Sequence, residues 1–382
     1  MSEKAIINAC VLTPKGFVRG QSVLIRDGQI AAICNDADRP AGITVACDLG
    51  GLRLVPGFID VQVNGGGGVL FNDNPTVQTI ATIGAAHRRF GTTGFFPTLI
   101  SDDLEVMGRA IRAVDEAIKA DVPGVLGLHL EGPFLNPQKR GVHDLEKFIP
   151  LGADEVELMA SLQHGKTIVT LAPEMTTPDR ISALRDKGVV VSAGHTLARY
   201  DETKRALDAG LTGFTHLFNA MRPLDSREPG VIAAALEDKR AWCGLIADGH
   251  HVHPAMVRLV MRAKTDKQIF LVTDAMPSVG ASRKDFALGA MDIAVADGKC
   301  VTDDGTLAGS DLDMISAVRN IMAFLDLDLA SAVRMASHMP AGFIGLDDRL
   351  GQISPGFQAD LVALSEDYAV VQSWIKGETK SA

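Results

Sequence analysis

The sequence predicts an α/β protein: a (β/α)8 barrel of the TIM type with a small β-sandwich domain built from both termini. Three observations carry that reading. Short apolar runs rich in β-branched residues recur through the middle of the chain, each followed by a helix-like stretch. The two ends are instead made of short strands separated by turn residues. The residues suited to chemistry fall at the C-terminal ends of the central runs, on the face where a barrel collects its active site.

The N-terminal stretch, residues 1–14, reads as a first strand, because it lacks the apolar region and small-residue cleavage site of a signal peptide. Residues 22–26 and 29–33 flank Asp27-Gly28, a hairpin signal. Residues 359–364 and 369–375 are two further strands. Neither end holds enough apolar residues for its own core. Residues 1–53 and 351–382 are therefore expected to pair into one small domain beside a barrel of residues 54–350. The barrel strands are expected at 54–63, 94–99, 125–130, 167–172, 189–193, 213–217, 243–247 and 269–273. Continuous apolar strands alternating with helices indicate a parallel sheet covered on its outer face. Leu104, Met107, Ile111, Val114 and Ile118 recur at helical spacing and mark one covering helix. A doubly wound open sheet is the alternative, weakened because no G-x-G-x-x-G follows the first barrel strand. After the eighth strand, 286–295 and 299–302 around Asp297-Gly298 read as an inserted hairpin, placed before a helix at 311–325.

Composition narrows the class of function. With 46% hydrophobic and 22% charged residues the chain is globular and not disordered. A net charge of −10 argues against a general nucleic-acid binder. No apolar run approaches the roughly 18 residues of a membrane span. The five scattered cysteines, without a C-x-x-C pair, read as free thiols and fit a cytoplasmic protein.

The third strand ends in His129-Leu-Glu131, the fifth in Gly194-His195, the sixth in Thr215-His216, and the eighth in Thr273-Asp274. Glu131, His195 and His216 can converge on one cation. Two imidazoles and a carboxylate leave an open position for water, as a catalytic zinc site requires. A bound metal lowers the pKa of that water from about 15.7 towards about 7. Asp274 then suits a general base for the water and, one step later, a general acid for the leaving group. Any one of these histidines alone reads equally well as a hydrogen-bonded core residue; the four residues on one face are what point to a site. His87 and His164 fall in helical stretches and read as surface or boundary residues, and His338 as a packing or helix-end residue. Gly65 to Gly68 form either a cradle of backbone amides for an anion or a turn. Lys139-Arg140 reads as a solvated charge pair.

The strings FIDVQVNGGGG, HLEGPFLNPQKRGVH, LAPE, VSAGHT, THLFNAM, REPG, ADGHHVH, LVTDA and GTLAGS, with LGQISPGFQADLVAL near the end, cover nearly the whole chain. In order and content they resemble the N-acetylglucosamine-6-phosphate deacetylase family of the amidohydrolase superfamily. The resemblance implies a metal-dependent hydrolase that splits the acetamide of N-acetyl-D-glucosamine 6-phosphate into glucosamine 6-phosphate and acetate, in amino-sugar catabolism. It places Glu131, His195 and His216 as ligands of one divalent ion per subunit; zinc is the first choice for such a donor set, with iron, cobalt or manganese also suited to it. It makes Asp274 the acid/base and has His251 polarise the amide carbonyl. Val142 and His143 would contact the sugar. Asn219, the backbone of Ala220, and Arg227 would bind the phosphate, Arg227 reaching across a homodimer interface. Leu307, Ala308 and Gly309 would line the pocket. Gln62 and Asn64 stand where many members of the superfamily carry H-x-H. Neutral amides are poor ligands beside imidazoles, so one metal is expected. The other functional readings are a deacetylase of another N-acetylated sugar phosphate, such as the galactosamine epimer, an amidohydrolase acting on a cyclic amide, and a non-enzymatic barrel kept as a binding scaffold.

Overall fold

The computed structural model describes residues 3–264 and 268–379. Eight parallel strands follow one another around a sheet in chain order: Phe58–Val63, Thr92–Ile100, Gly127–Glu131, Lys166–Leu171, Val190–Ala193, Gly213–Phe214, Trp242–Ile246 and Ile269–Val272. The first and last strands meet. The Asp274 amide donates to Gln62 O at 3.0 Å, and Val63 bridges to Ala275. The Thr273 hydroxyl and amide donate to the buried Asp60 carboxylate at 2.5 and 3.3 Å. These contacts close the sheet into a barrel and remove the open-sheet alternative.

The covering helices form where the sequence supplies caps and an apolar stripe. In Leu104–Lys119, Met107, Ile111 and Val114 are buried against the barrel, at the expected spacing. Thr76 caps Val77–Arg88 by accepting the Thr79 amide. Thr177 caps Pro178–Asp186, with proline at the first helical position. Gly210, at φ 114°, ends Tyr200–Ala209 in the left-handed conformation that its missing Cβ permits.

Two expected strands divide. The run at 54–63 breaks at Gly57: Arg53–Pro56 joins the terminal sheet, and only Phe58–Val63 enters the barrel. Gly57 marks the crossing because a methyl group there would lie 2.0 Å from Thr93 Oγ1. The run at 286–295 likewise splits, at Gly289-Ala290, into Phe286–Leu288 and Met291–Ala296. With Lys299–Val301 and Leu307–Ser310 these make a four-stranded antiparallel sheet, larger than a hairpin. The helix after it is Met314–Leu325, begun by an Asp313 cap and not at residue 311.

The termini form a small β-sandwich. Its central strand, Lys4–Thr13, pairs with Gly16–Arg26, Thr44–Asp48 and Arg53–Pro56. Arg53–Pro56 in turn pairs with Leu361–Leu364, which pairs with Val370–Ile375. The Asp27-Gly28 turn joins Arg26 to Gln29 as expected. An apolar cluster of its own, including Ile6, Val23, Ile353, Leu361 and Trp374, draws on both ends of the chain.

Two minor expectations fail in part. His87 is fully buried, and its ring bonds Gly65 O at 2.9 Å; burial holds its pKa down at about 4. It lies on the inner face of its helix, which a single polar letter cannot reveal. His164 is at the surface as expected, but in a bend outside any helix. Of the two readings of Gly65–Gly68, the turn holds: the amides of Gly65, Gly67 and Gly68 donate to the carbonyls of Ala275, Val279 and Pro277. The segment is a turn that packs the loop after the first strand on the loop after the eighth.

Candidate active site

Glu131 ends the third barrel strand and is 2% exposed. Its Oε1 lies 3.2 Å from His195 Nε2 and 2.9 Å from His216 Nε2, and the two nitrogens are 3.1 Å apart. His195 donates its Nδ1 hydrogen to Lys139 O at 2.7 Å, which leaves a lone pair on Nε2 aimed at the other two atoms. Three lone-pair atoms this close repel unless a positive charge lies among them. The donor set therefore fits a divalent cation, and two imidazoles with one carboxylate suit a transition metal. Burial lifts the Glu131 carboxyl, but the two imidazoles facing it, His195 and His216, outweigh burial and hold the group well below the usual carboxylate range.

Gln62 and Asn64 are not among these atoms. Gln62 Nε2 donates to Glu131 Oε2 at 3.1 Å and to Asp274 Oδ1 at 3.2 Å, and Asn64 Nδ2 donates to Asp274 Oδ1 at 2.7 Å. The two amides tie both carboxylates in place. Burial, then the nearby Glu131 charge, raises Asp274 to about 6, although His216, His251 and Asn64 pull it down. His195, His216 and Asp274 all have positive φ, at 47°, 34° and 52°. A non-glycine residue holds that conformation only where its surroundings impose it.

These groups line one cavity of about 330 Å³, with His143, Val142, Asn219, Ala220, His251, Leu307 and Gly309. His143 is buried. The Ser101 amide and hydroxyl both reach its Nδ1, at 3.3 and 2.8 Å. The amide can only donate, so Nδ1 accepts and the ring hydrogen sits on Nε2. Burial, then the neighbouring His195, holds its pKa down at about 3, so the ring stays neutral. His251 donates from Nδ1 to Asp248 Oδ2 at 2.6 Å, a contact that orients the ring. Asn219 Nδ2 bonds His216 O at 3.2 Å.

Two expected residues lie elsewhere. Ala308 is buried in a side cluster with Leu70, Met276 and Leu288, because alternation along Leu307–Ser310 turns it away while its neighbours face the cavity. Arg227 is exposed, outside the lining, in a turn where its amide donates to Asp225 Oδ1 at 2.9 Å. Glu228 accepts the Tyr200 and Gly230 amides instead. The sequence reading missed Leu70 and Leu288, which reach the cavity from the glycine turn and the inserted sheet. No local signal ties either segment to the site. It also missed Glu174 of the LAPE string, whose carboxylate joins loops on either side of the site.

A closed parallel barrel with a carboxylate and two imidazoles converging beside a buried aspartate defines a barrel enzyme with a metal centre. The chain belongs to the amidohydrolase family, whose model matches residues 53–380. It is 45% identical over 326 residues to N-acetylgalactosamine-6-phosphate deacetylase from a Shewanella species, covering 85% of this chain and 82% of that one. It is 34% identical over 383 residues to N-acetylglucosamine-6-phosphate deacetylase from Haemophilus influenzae, covering 98% and 99%. The crystal structure of N-acetylglucosamine-6-phosphate deacetylase from Pasteurella multocida superposes with a TM-score of 0.95 at 35% identity, covering both chains completely.

Proposed function

We propose that the protein hydrolyses the acetamide of N-acetyl-D-glucosamine 6-phosphate, releasing acetate and glucosamine 6-phosphate. The observation that carries this reading is the Glu131, His195 and His216 donor set facing Asp274 in one cavity. Glu131 Oε1 and the two Nε2 atoms would hold one divalent ion, with zinc the expected metal. When bound there, such an ion acts as a Lewis acid towards water and the amide carbonyl.

The residues supply the rest. Asp274 Oδ1 is held by Asn64 and Gln62, so Oδ2 is the atom left to take a proton from the attacking water. As the carbon–nitrogen bond breaks, Asp274 returns that proton to the nitrogen, because an amine leaves poorly unless protonated. His251, braced by Asp248, donates from Nε2 to the carbonyl oxygen as charge develops on it. His143 presents its Nε2 hydrogen to a sugar oxygen, with Val142 beside it. Asn219 and the Ala220 backbone take the phosphate. Arg227, exposed and without an ion-pair partner among the described residues, reaches the phosphate site of a second subunit in a homodimer. Its planar fork suits a dianion. Leu307 and Gly309 shape the wall. Five free cysteines fit a reducing, cytoplasmic setting. Among the described residues no helix is long and apolar enough to cross a membrane.

The galactosamine epimer is the second reading, favoured by the 45% identity to the Shewanella enzyme. Acetate release from each 6-phosphate by zinc-loaded protein separates the two by their kcat/KM ratio. Release from neither would refute both.

A further inference from the structure

We propose that Glu174 is a positioning residue: its carboxylate locks the turn that aims His195 at the cation site to the loop that carries Asn136 and, by fixing Thr196, braces the loop that carries Asn219 and Ala220. The inference rests on the reading of Glu131, His195 and His216 as cation ligands.

The fourth barrel strand, Lys166–Leu171, places no side chain in the cavity lining. The short turn that follows it, Pro173–Met175, carries Glu174. Glu174 also stays outside the lining, so it reaches no reacting atom. Its oxygens are instead filled from both sides. Oε1 accepts the Leu197 amide at 2.5 Å and Asn136 Nδ2 at 2.9 Å, and Oε2 accepts the Thr196 hydroxyl at 2.5 Å. Among the described residues no lysine or arginine pairs with it. All three hydrogen bonds are charge-assisted and join loops that would otherwise move separately.

Those partners are the neighbours of the site. The Asn136 amide donates to His195 O at 3.0 Å, and Lys139, three residues on, accepts the His195 Nδ1 hydrogen. Thr196 and Leu197 follow His195 directly. The Thr196 amide donates to Ala220 O at 3.0 Å, and Arg222 donates its amide to Thr196 O and its Nε to Leu197 O. One carboxylate thus ties the loops after the third, fourth and fifth strands, and through Thr196 the loop after the sixth. His195 and Ala220 both have positive φ, which glycine adopts freely and other residues hold only under constraint. Glu174 supplies that constraint. Its loss frees the His195 ring to turn away from Glu131 and lets Ala220 relax.

The test uses Glu174→Gln, which keeps the shape but puts an NH2 where one acceptor oxygen was, and Thr196→Val, which removes one donor to Glu174, together with the acceptor of the Ala198 amide, and leaves Glu174 itself intact. Zn2+ affinity of the metal-free protein is measured by chelator competition, with kcat and KM read separately on the sugar with and without its phosphate. We expect Zn2+ affinity to fall by about 10- to 100-fold in both variants. KM is expected to rise more for the phosphorylated sugar than for the unphosphorylated one, with kcat at saturating Zn2+ and substrate within tenfold of wild type. A merely structural glutamate would lower the unfolding midpoint while leaving Zn2+ affinity and the KM ratio of folded protein unchanged, which overturns the proposal. Wild-type protein that binds no Zn2+ tightly overturns the ligand reading and this inference together; tight wild-type binding with unaltered variants overturns this inference alone. Glu174→Gln and Thr196→Val strike opposite ends of one contact, so misfolding of one leaves the other to decide.

Discussion

At the scale of single residues, the site depends on which atoms are already engaged. Gln62 and Asn64 stand at the positions of a two-metal motif but serve as donors to two carboxylates. Their type makes them poor ligands beside imidazoles, and the folded geometry shows both amides donating to carboxylates. Asp274→Asn should keep the fold and the metal, because the side chain retains its shape and can turn its oxygen to Asn64. It should lose about 10²- to 10⁴-fold in kcat, the range for general acid–base work; near-normal turnover would place the proton elsewhere. His195→Ala removes one of three donors, and elemental analysis should find metal and acetate release lost together. Two ions per chain in the wild type, with Gln62 and Asn64 as ligands, would contradict the single-metal site.

At the scale of elements, two contacts couple the parts of the chain. Leu307–Ser310 brings the inserted sheet to the loop that carries Asp274: the Ser310 amide donates to Asp274 O, and the Met276 amide to Ser310 O. Gly309 sits between at φ 60°, and a methyl group there would lie 2.8 Å from Asp274 O and 2.5 Å from Met276 Cγ. Gly309→Ala should therefore displace Asp274 and cut kcat/KM by about 10²-fold, the loss expected for roughly 1 Å of misplacement. An intact unfolding midpoint would show that the effect is local. The second contact is Asp360, whose oxygens accept the Lys376 amide at 2.8 Å and Gln358 Nε2 at 2.9 Å while its carbonyl accepts the Gly57 amide. Burial raises its pKa from 3.8 to about 6, against the lowering by those bonds and by Lys376 and Arg88. Between these values the folded chain binds more protons than the unfolded chain, so stability falls as pH rises from about 4 to about 6. The total is about 3 kcal/mol. Asp360→Asn carries no such charge. Its stability relative to wild type should rise by about 2–3 kcal/mol between pH 4 and pH 7.5, read from urea midpoints; parallel pH profiles would refute the assignment.

At the scale of the whole molecule, one chain supplies every proposed site residue to the cavity face except Ala308, which turns away, and Arg227, which lies exposed outside. If Arg227 serves the partner's phosphate site, Arg227→Ala should weaken kcat/KM for the phosphorylated sugar and hardly change it for the unphosphorylated one. Mixing Arg227→Ala with Asp274→Asn subunits sharpens the test. In a mixed dimer one pocket regains a working Asp274 together with an intact Arg227 from the other chain, and activity should reappear there. No recovery in a preparation shown to contain mixed dimers would place Arg227 in its own pocket.

The sequence by itself determined the α/β class, the eight barrel strands to within a few residues, and the clustering of Glu131, His195, His216 and Asp274 at strand ends. It could do so because parallel strands are marked by continuous apolar runs, and a barrel puts every strand's C-terminal end on one face. Only the tertiary structure decided the rest. The run at 54–63 is apolar throughout, and nothing local shows that its first half belongs to another sheet; pairing with Leu361–Leu364, some 300 residues away, decides it. His87 and Glu174 carry the same letters as surface residues, and their roles exist only through partners on distant segments. Leu288 reaches the cavity because a separate sheet folds back over it. Periodicity and strand-end chemistry are local properties of a chain, whereas register, closure and the partner of a buried polar group come from contacts between residues far apart in sequence.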